Sequence, residues 1–183
     1  ENGVYLTDAQ SAQAKRVTID DKGASTRLSS RLGAPAGGDV TVSYGFDAAA
    51  LQAYNAKNGV DYQLLPEKYY SFSETQATIK AGEVSSAPVD LIIKPFDEGV
   101  DATKKYAIPV SIVNASGADI IQASSSLMIL IDQVIVTTVP YLKGGNSIVV
   151  TLDTPLQGLS AWTLEWNLCM DGFNRNNVTQ WNI

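Results

Sequence analysis

The chain has 183 residues, a formal net charge of −6 and no histidine. The negative balance, with no cationic run beyond Lys15-Arg16 and Lys104-Lys105, repels polyanions and argues against nucleic-acid binding; without histidine, neither a Ser-His-Asp nor a Cys-His nucleophile can be assembled. Hydrophobic residues make up 45% and charged residues only 17%, against about 25% charged in an average domain, and Ser, Thr, Asn, Gln and Gly fill the difference, as expected of an exported or surface β-protein.

In chain order, Val17 and Ile19 alternate with polar neighbours, the period of a half-buried strand. Beyond the turn Asp21-Lys22-Gly23, Leu28, Ser30 and Leu32 continue that pattern. After Pro35-Ala36-Gly37-Gly38, Val40, Val42, Tyr44 and Phe46 share one face of a strand, with Thr41, Ser43 and Gly45 on the other. Asp47 is a good helix N-cap, no β-branched residue follows from Ala48 to Lys57, and Asn58-Gly59 is a stop signal, which together predict a helix. So short a helix needs a partner; Leu51 and Tyr54 are expected to dock it on the sheet, bridging two strands across an end of the sandwich.

Lys80-Ala81-Gly82-Glu83 is the next turn, followed by a strand with Val89, Leu91 and Ile93 on one face. Asp97-Glu98-Gly99 separates it from Tyr106, Ile108, Val110 and Ile112. Pro109 interrupts that strand; because proline offers no N–H to a ladder, the strand is expected at an edge or bulged there. Past Ser116-Gly117, Leu127 to Val136 reads as a longer strand, buried on both faces in its first half. Short strands punctuated by turns predict an all-β sandwich or barrel. The first domain is placed at residues 1–136, with a linker at 137–146 carrying Pro140 and Gly144-Gly145. Residues 147–183 resume the β pattern at Ile148–Leu152, Trp162–Leu168 and Val178–Ile183. They are too few for a closed sandwich of about 100 residues, so a partial second β domain is expected.

Little chemistry is left open. The single cysteine, Cys169, forbids an intrachain disulfide and reads as a small buried hydrophobe. One Cys and no His disfavour zinc, no glycine-rich phosphate loop is present, and no apolar run nears the roughly 20 residues of a membrane span. An enzyme would have to use paired carboxylates. The candidates are Asp20, Asp21, Glu67, Asp97, Glu98, Asp101, Glu165 and Asp171. Most of them fall in turns, where Asp is favoured because it caps the backbone, so no catalytic residue and no cofactor is expected. Asp97, Glu98 and Asp101 offer clustered oxygens of the kind calcium takes, although their spacing is not that of an EF-hand and a solvated acidic loop explains them as well. Tyr69, Tyr70, Trp162, Trp166 and Trp181 are the aromatic candidates for stacking on a sugar; core packing is the alternative for each. Asn114-Ala115-Ser116 and Asn177-Val178-Thr179 are glycosylation triplets with meaning only in a eukaryotic secretory pathway.

One ordered set of residues goes further: Tyr44-Gly45-Phe46-Asp47, Leu51, Tyr54-Asn55, Asn58-Gly59, Tyr62, Leu65-Pro66, Tyr69-Tyr70, Ile79, Ala81-Gly82, Tyr106, Ile108-Pro109-Val110 and Ile112. Over Gly3 to Val136 it resembles the domain of unknown function 1735, the N-terminal module of Bacteroides-type surface lipoproteins. The resemblance implies an immunoglobulin-like β-sandwich, a cell-surface or outer-membrane location through a lipid anchor ahead of a processed N-terminus, and a following laminin-G or concanavalin-like domain or a family 18 glycosidase domain. Trp162-Thr163-Leu164-Glu165-Trp166 resembles an early strand of the concanavalin-like kind, and the several acids alternating along one strand that mark the glycosidase are absent. The function so implied is a non-catalytic module of a glycan-utilisation lipoprotein: a spacer or docking platform that holds a polysaccharide or glycan through the C-terminal segment and meets other surface glycan-utilisation proteins. An accessory domain of a glycoside hydrolase and a structural or adhesive subunit are the alternatives.

Overall fold

The computed structural model describes residues 3–97, 99–101 and 103–134, all within the unit Glu1–Thr137. The linker expected at 137–146 and the β segment expected at 147–183 lie outside the described residues. In chain order the elements are β1 (Val4–Leu6), β2 (Ala14–Ile19), β3 (Ala24–Leu28), β4 (Ser30–Leu32), β5 (Val40–Phe46), α1 (Ala48–Asn58), β6 (Gln63–Leu64), β7 (Tyr70–Phe72), β8 (Gln76–Ile79), β9 (Val89–Ile93), β10 (Tyr106–Ser116) and β11 (Ser126–Gln133). One sheet runs β2-β11-β10-β5-β8 with β6 beside β10, a second runs β3-β9-β7, and β1 pairs with β4. Pairing is antiparallel except for β2 with β11 and β6 with β10.

The period-two pattern dictates the layering. Val40, Val42 and Tyr44 of β5, Ile108, Val110 and Ile112 of β10, and Leu127, Ile129 and Ile131 of β11 meet Leu28, Val89, Leu91 and Ile93 of the second sheet in one core. The result is an all-β, immunoglobulin-like sandwich with one short helix. β11 is buried on both faces, as its sequence implies: Met128 and Leu130 point away from the main core into a second cluster with Ala107, Leu51 and Tyr62. That second cluster lies beneath α1. The helix therefore covers the outer face of the β10–β11 pair and does not bridge an end of the sandwich. The cause is local: Ala107, Met128 and Leu130 make an apolar outer patch, and Leu51 of α1, flanked by Ala50 and Tyr54, packs on it.

The helix ends behave as their residues require. The Asp47 carboxylate accepts from the Ala49 N–H at 2.9 Å, and Gly59 closes the C-terminus at φ 63°, a conformation that costs a side-chain-bearing residue about 1–2 kcal/mol. Asn55 then ties down the exit, its Nδ2 donating to the Tyr62 carbonyl at 2.8 Å and its Oδ1 accepting from the Tyr62 N–H at 3.2 Å.

Two strands depart from expectation. The run Leu28, Ser30, Leu32 keeps all three residues buried on one side but is split at Ser29: β3 pairs with β9 and β4 with β1. Ser29 leaves the ladder to accept from the Thr7 N–H at 2.9 Å. Ser30, fully buried, is satisfied by the Tyr44 hydroxyl at 2.9 Å and by the Ser86 hydroxyl, which accepts from its N–H at 3.0 Å.

Pro109 sits in a central strand, with β11 on one side and β5 and β6 on the other. It is tolerated where the neighbour changes. β6 pairs no further than Ala107, and β5 pairing starts at Val110. Asp47, next in register, turns into α1 with its carbonyl taken by the Ala50 N–H at 3.1 Å. No N–H is needed from residue 109, whose carbonyl still accepts from Asp47 at 3.0 Å. The bulge in β10 falls instead at Val113, between Ile112 and Asn114.

Candidate functional site

The two inner sheet faces are filled by the core, so any binding surface of the sandwich is on its outside. A groove of about 160 Å³ runs there between α1, the segment entering β2 and the short 3-10 turn Gln122–Ser124 that leads into β11. Its existence follows from alanine. Ala50, Ala53, Tyr54 and Lys57 are spaced 3, 4 and 7 apart and share one helix face, and the two alanines leave a gap above Met128 that larger residues would close. Ala123 continues the apolar lining.

The rim is polar. Gln13, Gln122 and Ser126 bring two amides and a hydroxyl, and Lys57 brings the one formal charge. The Lys57 Nζ donates to the Gln13 Oε1 at 2.9 Å, and the Ser126 hydroxyl shares a 2.8 Å hydrogen bond with that of Ser111. Tyr54 is backed by the Tyr62 ring, centroids 6.5 Å apart. Among the described residues no carboxylate lines the groove, so none of them can act there as a paired-carboxylate acid and base. No composition signal marks these residues: Gln13, Lys57 and Gln122 are distant in sequence and unremarkable in type.

The aromatic residues chosen from the sequence lie elsewhere. Tyr69 and Tyr70 are both buried, at 3% and 5% exposure, so neither offers a face on which a sugar could stack. Tyr69 packs edge-on against Phe96 at 5.4 Å, carries the Lys68 ammonium 4.5 Å above its ring, and donates its hydroxyl to the Asp97 carboxylate. Tyr70 packs edge-on against Phe46 at 4.6 Å. Its hydroxyl has no partner among the described residues, and burial, with the Glu67 charge, raises its pKa. Trp162, Trp166, Trp181 and Cys169 lie outside the described residues.

The acidic loop is likewise occupied with its own structure. The Tyr69 hydroxyl, the Gly99 N–H at 2.8 Å and the Lys68 ammonium at 3.3 Å hold Asp97 below the usual carboxylate range. Thr103, through its hydroxyl at 2.6 Å and its N–H at 2.9 Å, does the same for Asp101, with a smaller contribution from Lys104. Among the described residues no group of three His, Cys, Asp or Glu is placed to hold a metal; Glu98 lies outside them. Both aspartates read as turn caps.

Solved structures share this fold. A putative carbohydrate binding protein from Bacteroides ovatus aligns with 20% identity and a TM-score of 0.62, over 70% of this chain and 36% of that one. EndoBT-3987 of Bacteroides thetaiotamicron, solved with a Man5GlcNAc product, aligns with 23% identity and a TM-score of 0.56, over 71% and 30%. A multidomain protein including DUF1735 from Bacteroides ovatus aligns with 14% identity and a TM-score of 0.51, over 68% and 40%. The aligned part is thus well under half the length of each of these proteins. At these identities the likeness concerns the fold. No curated protein matches the sequence. Residues 1–119, well over half of the chain, match the family model described as a "-like, N-terminal domain", and the chain belongs to that family of N-terminal domains.

Proposed function

We infer that this chain is a non-catalytic module of a cell-surface, lipid-anchored glycan-utilisation protein, in which the sandwich serves as a spacer or docking platform and carbohydrate is held mainly through the segment after residue 137. The observation that carries this is the sealed double layer: both inner faces are occupied by side chains, and among the described residues no carboxylate lines the outer groove. The resemblance of Trp162-Thr163-Leu164-Glu165-Trp166 to an early concanavalin-like strand supports the assignment of binding to the C-terminal segment. Neighbours described as a putative carbohydrate binding protein and as EndoBT-3987 with a Man5GlcNAc product support a glycan as the partner.

A glycan array probed with the 183-residue chain, followed by calorimetry on the hits, tests this. Binding without hydrolysis is expected. An empty array, or release of reducing ends by the chain itself, overturns it. The second reading is an accessory N-terminal domain of a glycoside hydrolase, favoured by the likeness to EndoBT-3987 with its Man5GlcNAc product. It predicts a paired-carboxylate domain in the same reading frame, which sequencing of the gene decides.

A further inference from the structure

We propose that the groove between α1 and β11 holds one carboxylate-bearing pyranose ring, with Lys57 receiving the carboxylate. This rests on the reading of the chain as a glycan-handling module and adds a contact on the sandwich itself. Size comes first. The groove, about 160 Å³ and half-open to solvent, is on the scale of the cavity of about 150 Å³ that holds one benzene ring, and so seats one face of a single six-membered ring with its substituents toward solvent. It is smaller than the roughly 300 Å³ at which ordinary ligand pockets begin, which limits the occupant to a single sugar unit of a longer chain.

The chemistry of the walls suits such a ring. Ala50, Ala53 and Tyr54 give apolar surface for its C–H face, while the amides of Gln13 and Gln122 and the hydroxyl of Ser126 can both donate to and accept from ring hydroxyls. The Tyr54 ring is backed beforehand by that of Tyr62, centroids 6.5 Å apart. Little ordering is therefore left to binding.

Charge selects the anion. Six cations of the described residues, Lys15, Arg16, Arg27, Lys68, Lys80 and Lys104, sit in ion pairs. Lys57 instead rests on a neutral amide oxygen, in a chain of net charge −6. Its ammonium is free to take a carboxylate without first breaking an ion pair among these residues. It also lies in the last turn of α1, where the helix dipole contributes about half a negative charge; a full ammonium charge outweighs that and leaves the site cationic.

The test is a titration of the 183-residue chain, followed by amide chemical shifts, with methyl glucuronide and with methyl glucoside. Glucuronide is expected to half-saturate on the order of 1 mM, as suits a ligand of about a dozen heavy atoms, and the neutral glucoside to bind about fivefold more weakly. Lys57→Gln should bring the two to parity. Ala53→Trp, an exposed helix position, should fill the groove and abolish both without lowering the melting temperature. Equal affinity for the two sugars, shifts confined to residues away from α1 and β11, or an Ala53→Trp variant that binds as before each overturns the proposal. If the array glycans bind but Ala53→Trp leaves glucuronide binding unchanged, the groove fails and the glycan module stands; if the array is empty while the glucuronide is lost with Ala53→Trp, the groove stands and the glycan-module reading fails.

Discussion

Tyr69 and Tyr70 show how two identical side chains, adjacent in sequence, come to opposite energetic roles. The Tyr69 hydroxyl ends on the Asp97 carboxylate, whereas that of Tyr70 is buried without a partner among the described residues. Leaving a buried polar group unmatched costs about 1–3 kcal/mol. Tyr70→Phe is therefore expected to raise stability by about 1 kcal/mol in urea denaturation, and Tyr69→Phe to lower it; two losses of similar size would contradict the assignment. The Asp97 side also sets a pH dependence. Asp39, Asp97 and Asp101 are all held below the usual carboxylate range by hydrogen bonds and nearby lysines. A carboxylate depressed in the folded state contributes stability in full above its unfolded pKa of about 3.9 and loses it as pH falls through the folded value. The melting temperature should thus be flat from pH 7 down to about 5, then decline below about 4, and Asp97→Asn should lessen the decline. Residue type placed Asp97 and Asp101 in an acidic loop; that a tyrosine would reach Asp97 was not legible, because Tyr69 and Asp97 are joined only by the packing of the short turn Glu67–Tyr69 over the loop after β9.

At the scale of elements, α1 is the part on which the groove depends. Leu51 is its one buried residue, set among Ala107, Met128 and Leu130. Leu51→Ala should cost about 2–4 kcal/mol and loosen the groove with it, seen as faster hydrogen exchange from residues 48–58 than from β10. The bulge in β10 offers a second test. A Cβ on Gly45 would come within 2.7 Å of Val113 Cγ1, so Gly45→Ala should destabilise by about 1–3 kcal/mol and Val113→Ala should restore most of the loss in a double-mutant cycle; additive losses would show that the contact is not the cause. The helix and the longer strands β2, β5, β9, β10 and β11 followed from capping residues and period, whereas β1, β6, β7 and β8, of two to four residues, are too short to show a period. The position of α1 on an outer face, and of Pro109 in a central strand, did not, since both depend on where neighbouring strands begin and end.

For the whole described domain, stability resides in the core and not in surface charge. Each of the six ion pairs among the described residues joins side chains at least 38% exposed, and such pairs contribute little and are screened by salt. Melting temperature should accordingly be nearly the same in low and high sodium chloride, whereas the proposed glucuronide affinity should fall with added salt. From the residues alone came the class of molecule: alternation, turn residues and the absence of histidine led to an all-β sandwich and removed most nucleophilic chemistry, because these depend on local period and on composition. The tertiary structure alone decided what the outside of that sandwich offers. A groove whose lining spans Gln13 to Met128 exists only after β2 and β11 have paired in parallel and α1 has settled on them, and contacts that distant in sequence leave no periodic trace in it.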